Sequence, residues 1–149
     1  MSFWDSLKST MQRADAAAAA GDLDAGRLQE AARRSPVEQR LLERLRGTDG
    51  TLNVGAAQVR LHLRFSGEVQ GVGFRWTNQG LARDRGLTGW VRNEPDGTVQ
   101  MELQGQPQAI AAHLDAVHDY YRRFGNRIWL DEEREEPLAP GERKLEVRY

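Results

Sequence analysis

From Val59 the chain alternates Val59, Leu61, Leu63 and Phe65 with Arg60, His62 and Arg64, then enters Gly-Glu-Val-Gln-Gly-Val-Gly-Phe-Arg at residues 67–75. The two-residue period predicts a half-buried strand. Glycines at 67, 71 and 73 let the backbone fold back so that several N–H groups share one small space, and Arg75 closes the segment where a helical pattern begins. A strand, a glycine loop and a helix in this order form a cradle for a phosphate-sized anion. By itself the spacing also describes a plain turn between a strand and a helix.

Downstream, residues 76–85 predict a short helix whose clearest apolar members are Leu81 and Ala82, weakened by Gly80 in its interior. Residues 87–93 and 98–104 predict two strands joined through Glu94-Pro95-Asp96-Gly97, a hairpin. Pro107 opens a second helix with Ile110, Leu114, Val117, Tyr121 and Phe124 in one stripe. Residues 128–130 predict a fourth strand running into the acidic stretch 131–136, and Leu145, Val147 and Tyr149 suggest a last one. The order strand, helix, strand, strand, helix, strand is that of an α+β ferredoxin-like sandwich. In it two helices cover one face of a four- to five-stranded antiparallel sheet.

Residues 1–46 predict a helical extension, 47–57 a linker rich in turn formers, and 58–149 the sandwich domain. In the extension, Phe3, Trp4, Leu7, Met11 and Ala14 recur at helical spacing until Gly21, and Asp22 is placed to cap a helix running to about Arg34. Ser35-Pro36-Val37-Glu38 has capping-box spacing and opens a third helix carrying Val37, Leu41, Leu42 and Leu45. Residues 3–36 loosely resemble one tetratricopeptide unit. Such a unit cannot bury its own apolar face, so it must pack on the third helix, on the following domain or on a second chain. The last of these options is a protein partner or self-association through residues 1–46.

Lys and Arg total 21 against 22 Asp and Glu, so no global field draws in nucleic acid or an anionic membrane, and neither is an expected partner. There is no cysteine, hence no thiolate metal site and no cysteine nucleophile. His62, His113 and His118 lack metal-site spacing and read as surface or boundary residues; no metal and no cofactor are expected. No apolar run approaches the ~20 residues of a membrane span, and the expectation is a cytoplasmic protein.

Gly-Glu-Val-Gln-Gly-Val-Gly-Phe-Arg at 67–75, Gly-Trp-Val-Arg-Asn at 89–93 and Asp-Gly-Thr-Val at 96–99 together resemble the acylphosphatase family, over residues 59–149 and including the Val-Arg-Tyr ending. The resemblance implies that Arg75 and Asn93 are the catalytic pair. It implies hydrolysis of an acyl phosphate to a carboxylate and inorganic phosphate, with neither metal nor covalent enzyme intermediate. Physical chemistry supports the same residues. Backbone N–H groups of Gln70, Gly71, Val72, Gly73, Phe74 and Arg75 can ring the phosphoryl oxygens, the Arg75 guanidinium adds a planar charged fork, and the Asn93 amide can hold a water. Arg75 sits in the first turn of a helix, where the macrodipole disfavours a cation unless an anion visits. Glu94 next to Asn93 would weaken an anion site if it turned inward. Two alternatives stand beside the enzyme: a catalytically idle phosphate-binding or docking module, and an RNA-recognition module, for which the strand reading Thr-Val-Gln-Met-Glu-Leu lacks stacking aromatics.

Overall fold

The computed structural model describes residues 24–47 and 58–149. Two helices come first, α1 (Ala25–Ala32) and α2 (Pro36–Leu45). Then follow β1 (Val59–Gly67), α3 (Phe74–Arg83), β2 (Thr88–Asn93), β3 (Val99–Gly105), α4 (Pro107–Arg123), β4 (Ile128–Glu136) and β5 (Leu145–Arg148).

The five strands form one sheet in the order β4-β1-β3-β2-β5. The first four are paired antiparallel, whereas β5 runs parallel to β2, so the sheet is mixed rather than wholly antiparallel. The inward phase of each strand is apolar, as the two-residue period requires: Leu61, Leu63 and Phe65 on β1, Val91 on β2, and Val99, Met101 and Leu103 on β3 are at most 1% exposed. They pack under Phe74, Leu81 and Ala82 of α3 and Ile110, Leu114, Val117 and Tyr121 of α4, in one continuous core.

β4 is longer than the expected 128–130, because the acidic stretch is part of it. Phe65 pairs with Leu130 but Arg64 with Glu132, so Asp131 is an extra residue on β4 and the strand's phase changes there. Beyond this bulge Arg64 binds Glu132 at 2.9 Å and Arg44 of α2 binds Glu133. These two carboxylates pair with cations from neighbouring elements, and the stretch as a whole is part of the sheet.

The N-terminal helices pack on the sandwich. Ser35 accepts the Glu38 N–H at 3.0 Å and Pro36 occupies the first turn of α2, one half of the capping box expected from the sequence, while the Glu38 carboxylate pairs with Arg34 at 3.2 Å. Leu41, Leu42 and Leu45 are no more than 4% exposed and belong to the same core as the sheet. α1 is capped by Asp24, not Asp22, and ends at Ala32. Its Arg27 donates to the Gly125 carbonyl at 2.9 Å, Arg34 pairs with Asp115 at 2.8 Å, and the Ala32 carbonyl bonds His118. The expected first helix and linker lie outside the described residues, apart from Gly47.

Candidate active site

The loop between β1 and α3 turns twice through left-handed glycines, Gly71 at φ 77° and Gly73 at φ 73°, the latter serving as the N-cap of α3. A Cβ at either position would meet nothing within 4 Å, so glycine is required there by backbone angle, not by crowding. The open space is a cleft of about 210 Å³ lined by Val69, Gly71, Gly73, Phe74, Arg75, Trp76 and Asn93. The structure thus brings together the two side chains singled out in the sequence, Arg75 from the first turn of α3 and Asn93 from the end of β2.

The donors in this loop are unmatched. Val69 N–H bonds the Gly67 carbonyl and Thr77 N–H the Gly73 carbonyl. Between them the N–H groups of Gln70, Gly71, Val72, Gly73, Phe74 and Arg75 meet no acceptor among the described residues. Nor does Arg75 meet a carboxylate there. One guanidinium nitrogen donates to the Arg148 carbonyl of β5 at 3.0 Å, and the group lies 4.8 Å from the centre of the Tyr149 ring. A carbonyl and a ring face orient the arginine while leaving its full charge available.

The remaining polar groups of the loop hold its shape. The Glu68 carboxylate accepts from Asn126, from the Arg127 N–H and from Arg27 of α1. Gln70 donates its side-chain amide to the carbonyls of Glu94 (2.8 Å) and Thr98 (2.9 Å), which ties the loop to the turn that follows Asn93. That turn is fixed in turn by Asp96, which accepts from the Thr98 hydroxyl and N–H; these bonds hold its carboxyl below the ordinary range. Tyr121 of α4 donates its hydroxyl to the Val72 carbonyl at 3.0 Å and accepts from Thr77. The Val72 carbonyl and the Gly73 N–H belong to one planar trans peptide and point oppositely, so pinning the carbonyl to α4 aims the N–H away from the core.

Glu94 does not turn inward. Arg92 donates to its carboxylate at 2.9 Å, which draws the charge away from the anion space. Gly80 is buried and α3 is continuous across it. Arg85 donates to the Leu81 carbonyl at the helix's C-terminal end.

The histidines differ from the surface or boundary residues expected. His113 is fully buried, bonded to the Asn78 amide oxygen at 2.9 Å, and Asn78 donates to the Phe74 carbonyl beside Arg75. Burial, reinforced by Arg85, pushes the His113 imidazole down to about 3, so it is neutral in the fold. His118 is buried against α1, and His62 lies on the open face of the sheet between Glu102 and Gln100. Their burial depends on partners far along the chain. His62, Glu102 and Glu136 offer three ligand atoms within 4.8 Å, but Arg60 already binds Glu102 and Arg134 binds Glu136. Two site features carried no sequence signal that was read: Trp76, which lines the cleft, and Tyr121, which had appeared only as core.

Residues 61–135 match the family model for acylphosphatase. The chain belongs to the acylphosphatase family. It is 51% identical over 61 residues to an acylphosphatase of Thermococcus kodakarensis, covering 41% of this chain and 67% of that one. With an acylphosphatase of Oceanobacillus iheyensis it shares 37% identity over 89 residues, 60% of this chain and 97% of the relative. The crystal structure of acylphosphatase from Bacillus subtilis superposes with a TM-score of 0.51 at 27% identity, covering 61% of this chain and 99% of that one. The family match leaves the helices α1 and α2 uncovered.

Proposed function

We propose that this acylphosphatase-family enzyme hydrolyses small acyl phosphates to a carboxylate and inorganic phosphate at the α3 cleft, without a metal ion. One observation carries the reading: six consecutive N–H groups that meet no acceptor among the described residues stand with an arginine that meets no carboxylate among them. Gly71 and Gly73 are exposed, so these donors are open to a ligand, and a phosphoryl group with its several acceptor oxygens matches the set.

In the proposed reaction the N–H groups of Gln70 to Arg75 and the Arg75 guanidinium receive the phosphoryl oxygens, over which charge spreads as the bond to the leaving group lengthens. The Asn93 amide accepts from and donates to a water and holds it in line with the scissile P–O bond. The water oxygen bonds to phosphorus, the P–O bond to the acyl group breaks with its electron pair, and the acyl oxygen leaves as a carboxylate. This leaving group is weakly basic and needs no proton from the enzyme. The water's protons pass to the phosphate and to solvent. No histidine is therefore required, in keeping with the burial of His113 and His118 away from the cleft.

The test is benzoyl phosphate hydrolysis by the full chain with and without excess chelator. Turnover that persists in chelator and vanishes in Arg75→Ala supports the reading. Phosphate binding with no turnover would leave a non-catalytic phosphate-binding module instead.

A further inference from the structure

The cleft is larger than its anion-binding loop, and its lining is uneven. Val69 and Phe74 are 1% and 2% exposed, so they form the cleft's floor and are spent on the core. Gly71 and Gly73 offer only backbone, and Arg75 and Asn93 are polar. Trp76 alone among the lining residues presents an accessible apolar surface, and it is 52% exposed.

Exposure of this kind is rare in the molecule. Among the described residues only Trp76, Leu138 and Tyr149 are large apolar side chains more than half exposed; Trp76 lines the cleft, and Tyr149 lies against the guanidinium of Arg75, which also lines it. Trp76 follows Arg75 in α3, and the Tyr149 ring stacks on Arg75 from the other chain end. Single exposed hydrophobic residues need no explanation, but aromatic surface gathered at a polar cleft marks a place where an apolar group is received.

We infer that Trp76 is a specificity-determining residue whose indole receives the acyl group, so that among small-molecule acyl phosphates the enzyme favours flat, apolar ones, aromatic above all, over those with an acetyl-sized acyl group. This rests on the hydrolytic reading of the cleft given above. If the phosphoryl group occupies the loop donors, the acyl portion lies outside them, and Trp76 is the one apolar surface at the cleft left to meet it. Offset or edge contact between rings adds to simple burial, whereas an acetyl group gains almost nothing from an indole face.

The experiment measures kcat and KM of the full chain for benzoyl phosphate and acetyl phosphate, in wild type, Trp76→Ala and Trp76→Phe, with thermal unfolding recorded for each. In wild type the ratio of kcat/KM for benzoyl over acetyl phosphate exceeds one. In Trp76→Ala that ratio falls about fivefold, mainly through KM for benzoyl phosphate, and in Trp76→Phe most of it is retained. An unchanged ratio in Trp76→Ala, or a parallel loss on both substrates, overturns the inference while leaving the hydrolytic reading intact. If wild type turns over neither substrate, the hydrolytic reading itself fails and this inference with it.

Discussion

Arg60 and Arg75 lie at the two ends of the β1 to α3 passage and meet opposite surroundings. On the open face of the sheet Arg60 is 5% exposed and saturated: it binds Glu102 at 2.7 Å, Glu142 at 2.6 Å and the Gln104 amide oxygen at 3.1 Å, while His62 bonds Glu102 and Gln100. At the cleft, Arg75 has a carbonyl and a ring but, among the described residues, no anion, and the six backbone donors of its loop have no partner among them. A closed network is explained by the fold it holds together. An open one is explained by something outside the chain, and this distinction, more than the number of charged residues, separates scaffold from site.

The contrast can be broken most sharply by exchanging the kinds of loss. Arg75→Ala should lower benzoyl phosphate kcat/KM by about 10²- to 10³-fold with an unchanged unfolding transition, and Asn93→Ala by a similar factor felt mainly in kcat. Steady-state kinetics paired with denaturant unfolding checks both. Arg60→Ala should do the reverse. Removing one partner of a buried ionic network costs about 3–5 kcal/mol, so the urea midpoint falls while kcat/KM per folded molecule stays within about twofold.

A smaller effect lies behind the cleft, at His113. Its folded value sits below the ordinary histidine range, so the stability it contributes is present above about pH 6.5 and is lost as pH falls toward about 3. Between pH 7 and pH 5 wild type should lose on the order of 2 kcal/mol more than His113→Gln, read from urea unfolding at each pH. Smallest is Tyr121→Phe, which removes only the hydroxyl holding the Val72 carbonyl. A net hydrogen bond of about 1 kcal/mol corresponds to a loss of about fivefold in kcat/KM, with inhibition by inorganic phosphate weakened in parallel. A purely structural tyrosine would shift the unfolding midpoint and leave phosphate inhibition where it was.

What could be read from the sequence was whatever lies within a few residues of its cause. The Gly67 to Arg75 loop, the Ser35 cap and the core phases of β1 and β3 are local patterns, and the structure has them in place. Asn93 was legible because the strand phase that buries Val91 also directs residue 93 toward the helices. The acidic stretch 131–136 was not legible as strand. Its bulge at Asp131 breaks the alternation, and its neutralising partners Arg64 and Arg44 lie about 70 and 90 residues earlier. The histidines were misread for the same reason, since the groups on Asn78 and Ala32 that bond Nε2 of His113 and of His118 come from other helices. Trp76 carried no periodic signal, because exposure at a cleft is a property of the assembled surface. The β5 pairing was similarly hidden: strand periodicity reports which residues face inward but not the direction of the neighbouring strand.

The account's central claim is that the loop's unmatched N–H groups, with Arg75, form an anion receptor, and amide NMR tests it most directly. Titration of the full chain with inorganic phosphate should give saturable shifts concentrated on the N–H resonances of Gln70, Gly71, Val72, Gly73, Phe74 and Arg75, and these should disappear in Arg75→Ala. Saturable shifts centred elsewhere on the molecule, or none at the loop at phosphate concentrations that inhibit turnover, would contradict it.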